Sequence, residues 1–357
     1  MKHYDVVIIG GGTAGIFAAY ELNHLHPELK IAMIERGNPI RKRVCPIIAG
    51  KTKSCVGCAS CCIMNGCGGA GAFSDGKFNF TTEFGGWLHD YISPDEVMTL
   101  IEYVDSVNIR FGATTERFST YSPEAAELEK RALHHDLHLL KAAVKHLGTE
   151  KNLKILSNMA EDLSGKADIY CNTEVEGILP REDGLYELAA SGSEHFLCTY
   201  LIAAPGRSGA EWFSSECKKM GINLINNQVD IGVRVELPAA VFEHITDVVY
   251  EAKLVYRTKQ YGDSVRTFCM NPYGHVVTEN VDGIITVNGH SYGDASLRSE
   301  NTNFALLVSN RFTQPFNEPY QYGKRIASLS NMLGGGVLVQ RFGDLIKGVR
   351  TNEHRMS

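Results

Sequence analysis

Six residues near the start of the chain, Gly10-Gly11-Gly12-Thr13-Ala14-Gly15, have the types and spacing that bring backbone against a diphosphate. The first glycine of such a turn lets the chain reverse sharply, the second leaves room for the pyrophosphate, and the third lets a helix pack closely on a strand. The helix that follows offers free N–H groups and a partial positive charge to the phosphates. Glu35 ends the next apolar run, twenty residues after Gly15. A carboxylate there accepts hydrogen bonds from ribose hydroxyls and repels a 2′-phosphate, so FAD or NAD fits better than NADP. Arg36, beside it, reads either as a contact for the adenosine end or as a solvated turn charge.

A second concentration of chemistry lies in the cysteines. Cys45, Cys55, Cys58, Cys61, Cys62 and Cys67 crowd into one stretch, and Cys55-x-x-Cys58-x-x-Cys61 has the spacing with which thiolates surround iron or zinc. Cys45-Pro46 is a candidate fourth ligand, although iron–sulfur runs of the ferredoxin kind place Cys-Pro after the triplet. An iron–sulfur cluster, a zinc site, a redox-active dithiol and simple free thiols all remain open on this pattern. His134 and His138 stand four apart in a segment read as helix, a spacing that suits either a metal-binding face or a solvated one.

The elements that must position these residues follow from periodicity. Asp5–Ile9 and Lys30–Ile34 are short apolar runs on either side of a helical pattern over Ala14–Leu25, a βαβ opening that puts the glycines in a strand-to-helix turn. From Asn38 to Gly86 the chain is rich in Gly, Cys, Pro and Ser, too irregular for one element and long enough to line a ligand. Ser93-Pro94-Asp95-Glu96 predicts a helix start, with Val97, Ile101, Val104 and Val107 on one face. Ser122-Pro123-Glu124 predicts another, whose apolar stripe runs through Leu133, Leu137, Leu140, Val144 and Leu147. Ile169–Leu179 reads as a strand, followed by a turn and two more strands ending at Ala204. Further strands are expected over VDIGVRVEL, HVVTEN and GIITVNG, and helical stretches near 208–220, 321–333 and 336–346. No internal repeat or low-complexity linker is present.

Beyond the opening turn, the strand YCNTEVEGI and the run Leu201-Ile202-Ala203-Ala204-Pro205-Gly206-Arg207 look like successive nucleotide-contacting segments of FAD-binding proteins of the glutathione reductase type. The resemblance implies that backbone at Val175 meets adenine and that the strand ending at Ala204 to Gly206, with Arg207 after it, runs under the dinucleotide. Read without it, both segments are buried strands. More specifically, GCGGAGAFSDGKFNFT, VDIGVRVE, VRTFCMNPYGHV, TVNGHSYGD, NTNFALLVSNRFTQPF and VQRFGDL resemble the bacterial proteins called uncharacterised FAD-dependent dehydrogenases, over essentially the whole chain. That similarity, and not the spacing, favours FAD over NAD.

It implies an α/β fold with a Rossmann-type FAD/NAD(P)-binding domain over 1–90 and 166–225, a helical insertion over 91–165, and an interleaved α+β substrate domain over 226–357. It implies a FAD-dependent oxidoreductase of unassigned substrate and redox partner. It also puts the glycine-rich loop Gly66–Lys77, with Gly69 and Gly71, near the isoalloxazine. Asp75 and Lys77 then become the charged groups to test against flavin or substrate, with a turn salt bridge as the plain alternative. Cys269 is a candidate redox partner or a small buried hydrophobe, and Arg234, Arg266 and Arg341 are candidate anion contacts or structural ion pairs. Relatives of this type return late to a Gly-Asp segment that contacts FAD. Gly343-Asp344 fits it superficially but lies in a helical context, so a chain shortened relative to its relatives is expected, and a nucleotide-binding protein without turnover is the competing reading.

Composition narrows the rest. At 357 residues and 44% hydrophobic the chain can build a sizeable core, and a net charge of −6 gives no general attraction to nucleic acid or anionic membrane. No leader pattern precedes the first strand and no long apolar run occurs, so a cytoplasmic protein with reduced thiols is expected. No G-x-S-x-G elbow or P-loop is present.

Overall fold

Strand β1 (Lys2–Ile9) is apolar on both faces, and both are covered. Val6 and Ile8 pack with Ile16, Ala19 and Tyr20 of helix α1 (Thr13–Leu25), while Val7 and Ile9 join a second cluster with Val175, Leu188 and Phe196. Burial on both sides is what a central parallel strand requires. β1 pairs in parallel with β2 (Ile31–Glu35) on one edge and with Glu194–Ala203 on the other. The computed structural model describes residues 1–357 except 54, 282, 314, 316, 317 and 357, and except the side chain of 353.

The six-stranded sheet runs in the order Asp168–Cys171, β2, β1, Glu194–Ala203, Tyr186–Ala190, Val175–Pro180. The first four strands are parallel, a Rossmann-type arrangement, and the last two return as an antiparallel meander. The single strand expected over Ile169–Leu179 is therefore two strands at opposite edges of the sheet. The break falls at Asn172, whose φ of 55° is left-handed backbone that asparagine tolerates better than most residues.

A second, antiparallel sheet takes the order Val229–Pro238, Asn301–Asn310, Ser264–Asn271, Leu254–Arg257, Leu137–Leu139. That last strand corrects the long helix expected through Leu147. The helix Pro123–Leu133 ends near Asp136, where φ is 57°, and Leu137–Leu139 and Ala143–His146 are strands. Pairing with Leu254–Arg257 outweighs the helical leucine spacing, and it removes His134 and His138 from any shared helical face. Similarly, only Phe342–Ile346 of the stretch expected at 336–346 is helical. Asp344 there accepts from Thr351 and Arg355, so Gly343-Asp344 serves local structure. Among the described residues no helix is long and apolar enough to cross a membrane.

The two sheets meet through the small sheet that holds Lys77–Phe80 and Ala143–His146. His146 lies in this seam, stacked on Tyr250 with ring centroids 4.4 Å apart, and its Nε2 is 3.0 Å from both Tyr250 Oη and Ser291 Oγ. Burial pushes its pKa down from 6.5 to about 4. Between those values the unfolded chain binds a proton that the folded chain refuses, so stability falls as pH drops from 6.5 to 4. The full effect is at most ~3 kcal/mol. Denaturant unfolding at stepped pH should show that loss in the parent and a flatter profile in His146→Gln; identical profiles would remove His146 as the cause.

Candidate functional site

A cavity of about 550 Å3 opens at the C-terminal ends of β1, β2 and Glu194–Ala203. This is where open α/β sheets bind ligands, at the point where connections leave a strand in opposite directions. Gly10, Gly12, Thr13, Ala14, Glu35, Arg36, Gly69, Gly71, Val175, Ala204, Gly206 and Arg207 all line it. Gly15 lies behind the wall, where it lets α1 sit on the turn: a Cβ there would come within 1.9 Å of the Gly10 carbonyl oxygen. Gly10 has a φ of 100° and would drive a Cβ to 2.2 Å from the Ala204 oxygen.

Gly12 differs from both. Its φ is −73°, and a Cβ would meet nothing nearer than the Gly69 Cα at 3.8 Å. Packing does not demand glycine at this position, so the room beside it belongs to the cavity. No side chain caps the start of α1, which leaves its first-turn amides to that same space. A diphosphate is the group whose charge and oxygen acceptors match an uncapped helix end beside a bare backbone.

Glu35 is buried, and its carboxylate is already engaged by the protein. Oε2 accepts from the Gly11 amide at 2.8 Å, while Oε1 accepts from the amides of Gly37 at 2.8 Å and Gly66 at 2.9 Å. With two lone pairs on each oxygen, only Oε2 keeps one for a ribose hydroxyl. For the hydrogen bonds from ribose hydroxyls expected of Glu35, the carboxylate thus keeps room for one. Its larger role is to fasten the glycine turn to the loop that carries Gly66.

The opposite half of that fastening is Arg43, which the sequence did not single out. Its buried guanidinium donates to the carbonyls of Cys62, Ile63, Cys67 and Gly69 at 2.7–3.0 Å and, more weakly, to Gly66 at 3.5 Å. Burial lowers its pKa, and Glu35 opposes that shift. A further bond from the Gly68 amide to the Gly11 carbonyl, 2.7 Å long, completes the junction. Cys67, enclosed in it, has its thiol pushed up to about 11 by burial and the Glu35 charge, which leaves it protonated and unreactive at neutral pH.

The cavity rim carries positive charge. Arg36 Nη1 stands 3.6 Å from Glu174 and 3.5 Å from the Ser208 carbonyl, and Arg207 reaches Glu279 at 3.2 Å. Both partners are weak enough to exchange for an anionic ligand.

Asp75, Lys77 and Cys269 do not line the cavity. Lys77 is buried, 3.1 Å from Asp75 and 3.5 Å from Glu251, and it donates to the Met270 carbonyl. Burial alone would lower its pKa, but the two carboxylates outweigh that and raise it. The two residues form a salt bridge, and Lys77 ties the glycine-rich loop to the second sheet. Cys269 has a left-handed φ of 46° at an irregularity in that sheet, with Sγ 3.9 Å from Asn288 Oδ1. Arg234 bonds Asn303 and the Cys269 carbonyl, Arg266 pairs with Asp230 at 2.7 Å, and Arg341 bonds the Arg355 carbonyl.

Cys45, Cys55, Cys58, Cys61 and Cys62 line a separate cavity of about 30 Å3. The pattern that gathered them in sequence also gathers them in space. Among the described residues, however, no three His, Cys, Asp or Glu side chains are arranged around one point as metal ligands.

No protein-family model and no curated protein matches the chain. Solved structures similar to it include an L-amino acid deaminase from Proteus myxofaciens in complex with anthranilate. Identity is 16% over 66% of this chain and 52% of the deaminase, with a TM-score of 0.38. Glycine oxidase from Geobacillus kaustophilus is 15% identical over 98% and 96% of the two chains, with a TM-score of 0.41. NikD, an amino acid oxidase essential for nikkomycin biosynthesis, is 11% identical over 86% and 71%, with a TM-score of 0.43. The chain spans about half the length of the deaminase. Scores this low carry no argument about chemistry.

Arg43→Met keeps most of the side-chain volume and removes every donor. It should cost on the order of 3–5 kcal/mol, the usual penalty for leaving a buried charge and its partners unmatched. Denaturant unfolding measures the loss, and limited proteolysis should cut first within residues 44–69. An unfolding midpoint equal to the parent's would show that the guanidinium is dispensable.

Proposed function

We propose that the chain is a FAD-dependent oxidoreductase of the glutathione reductase fold type, with residues 1–90 and 166–225 holding the dinucleotide and residues 226–357 bounding the substrate side. The observation that carries the proposal is the unobstructed space at Gly12, beside the uncapped start of α1. The resemblance of the opening turn, YCNTEVEGI and LIAAPGR to FAD-binding segments supports FAD over NAD.

Bound FAD would supply the acceptor for a hydride or for single electrons. The chain's own contribution is binding and orientation. The first-turn amides of α1 hold the diphosphate, Glu35 Oε2 accepts from one ribose hydroxyl, and backbone at Val175 borders the adenine. Arg36 and Arg207 add positive charge at the rim, and Gly69 and Gly71 leave room for a flat ring to approach closely.

Gly12→Asp tests this with little risk to the fold, because φ and the surrounding space accept a side chain. A carboxylate there stands where the diphosphate belongs. Fluorescence titration with FAD should show binding to the parent and at least ~100-fold weaker binding to the variant, about 3 kcal/mol, with equal melting temperatures. Equal affinities would overturn the site. Nucleotide extraction that yields NAD and no FAD would replace the cofactor, and bound flavin that no donor reduces would leave a nucleotide-binding protein without turnover.

A further inference from the structure

Among its described residues the segment 44–63 has no helix or strand, and none of them is buried. Such a stretch removes too little apolar surface from water to offset the entropy of ordering it. Arg43 secures only its end, through the carbonyls of Cys62 and Ile63. Short segments without a core are held by disulfides or by metal ions. All five cysteines in it, Cys45, Cys55, Cys58, Cys61 and Cys62, are free thiols, and all five face one cavity.

We propose that four of these thiols bind one thiophilic metal centre, a zinc ion or an iron–sulfur cluster, which staples the segment. Cys55, Cys58 and Cys61 supply three ligands, and Cys45 or Cys62 completes four. The chemistry of the lining favours a soft metal. Its other described residues are Pro46, Ile47, Val56, Ile63, Thr278 and Asn280, and among these there is no carboxylate or imidazole to suit a hard cation. Asn280 donates its amide to Cys55 Sγ at 3.6 Å, the kind of outer hydrogen bond that orients a ligating sulfur.

Because no three thiols yet surround a common point, binding must draw the segment inward, and its lack of regular hydrogen bonding permits that. Each ligating thiol forms a metal–sulfur bond and releases its proton to solvent, so a zinc ion with four ligands frees four protons without electron transfer. The proposal does not depend on FAD.

The test uses the full chain purified without oxygen, with zinc, iron and acid-labile sulfide measured per chain. About one zinc, or iron with matching sulfide, is expected, directly or after incubation with Zn2+ alone or with Fe3+, sulfide and a thiol reductant. Four of the five thiols that face the cavity should resist alkylation until a chelator is added. Cys58→Ser and Cys61→Ser should lose the metal, and Cys217→Ser should keep it. Failure to take up either metal, a disulfide among the five cysteines, or full reactivity of all five cavity thiols in the metal-loaded chain would overturn the site. None of these results bears on flavin binding, so failure here is separate from failure of the cofactor reading.

Discussion

Everything at the cavity depends on one buried carboxylate. Glu35 accepts hydrogen bonds from three backbone amides that come from different places: the glycine turn, the end of its own strand, and the loop some thirty residues on. Bonds from amides to a charged acceptor contribute about 1.5–3 kcal/mol each, roughly twice the neutral case. Geometry matters as much as energy. Gly11 and Gly66 can share one carboxylate only if the turn and the loop stand face to face, and that confrontation forms the near wall of the cavity. Arg43 does the complementary work: its charge interacts favourably with the carboxylate's, and it collects carbonyls that the irregular loop would otherwise leave unpaired.

This junction explains why the loop can be so poor in apolar residues where it meets the cavity. Its amides bond to an anion and its carbonyls to a cation, so position is set by polar bonds in place of packing. The arrangement keeps glycines at Gly66 and Gly69, where φ is 119° and 58° and a side chain would strike Asn38 or Gly12. It also leaves the surface facing the cavity as bare backbone, which suits a phosphate or a flat ring better than a lining of side chains.

What the sequence made legible was local. The Gly10–Gly15 turn, α1 and β2 follow from residue types within one βαβ unit, and the structure forms them as expected. Glu35 was found by its spacing, but not its bonding, because Gly66 reaches it only after the intervening loop folds back. Arg43 carries no signal in sequence: beside Arg41 and Lys42 it reads as one of a run of solvated charges, and only the enclosed loop distinguishes it. The leucine spacing from Leu133 to Leu147 misled because a strand at the edge of a sheet was concealed in a helical repeat. Leu139 pairs with Leu254, and no local rule anticipates a partner 115 residues away. For the same reason Asp75 and Lys77 were recognised as a charged pair while their anchors, Glu251 and Met270, were not.

Amide hydrogen exchange on Glu35→Met addresses the junction directly, since methionine fills the same space without accepting a hydrogen bond. The amides of Gly11, Gly37 and Gly66 should be slow in the parent and should all accelerate together, by at least about tenfold, while Ile8 and Met33 in the sheet stay protected. If Gly11 and Gly66 exchange at the parent's rate in the variant, the carboxylate is not what holds turn and loop together, and the account is contradicted.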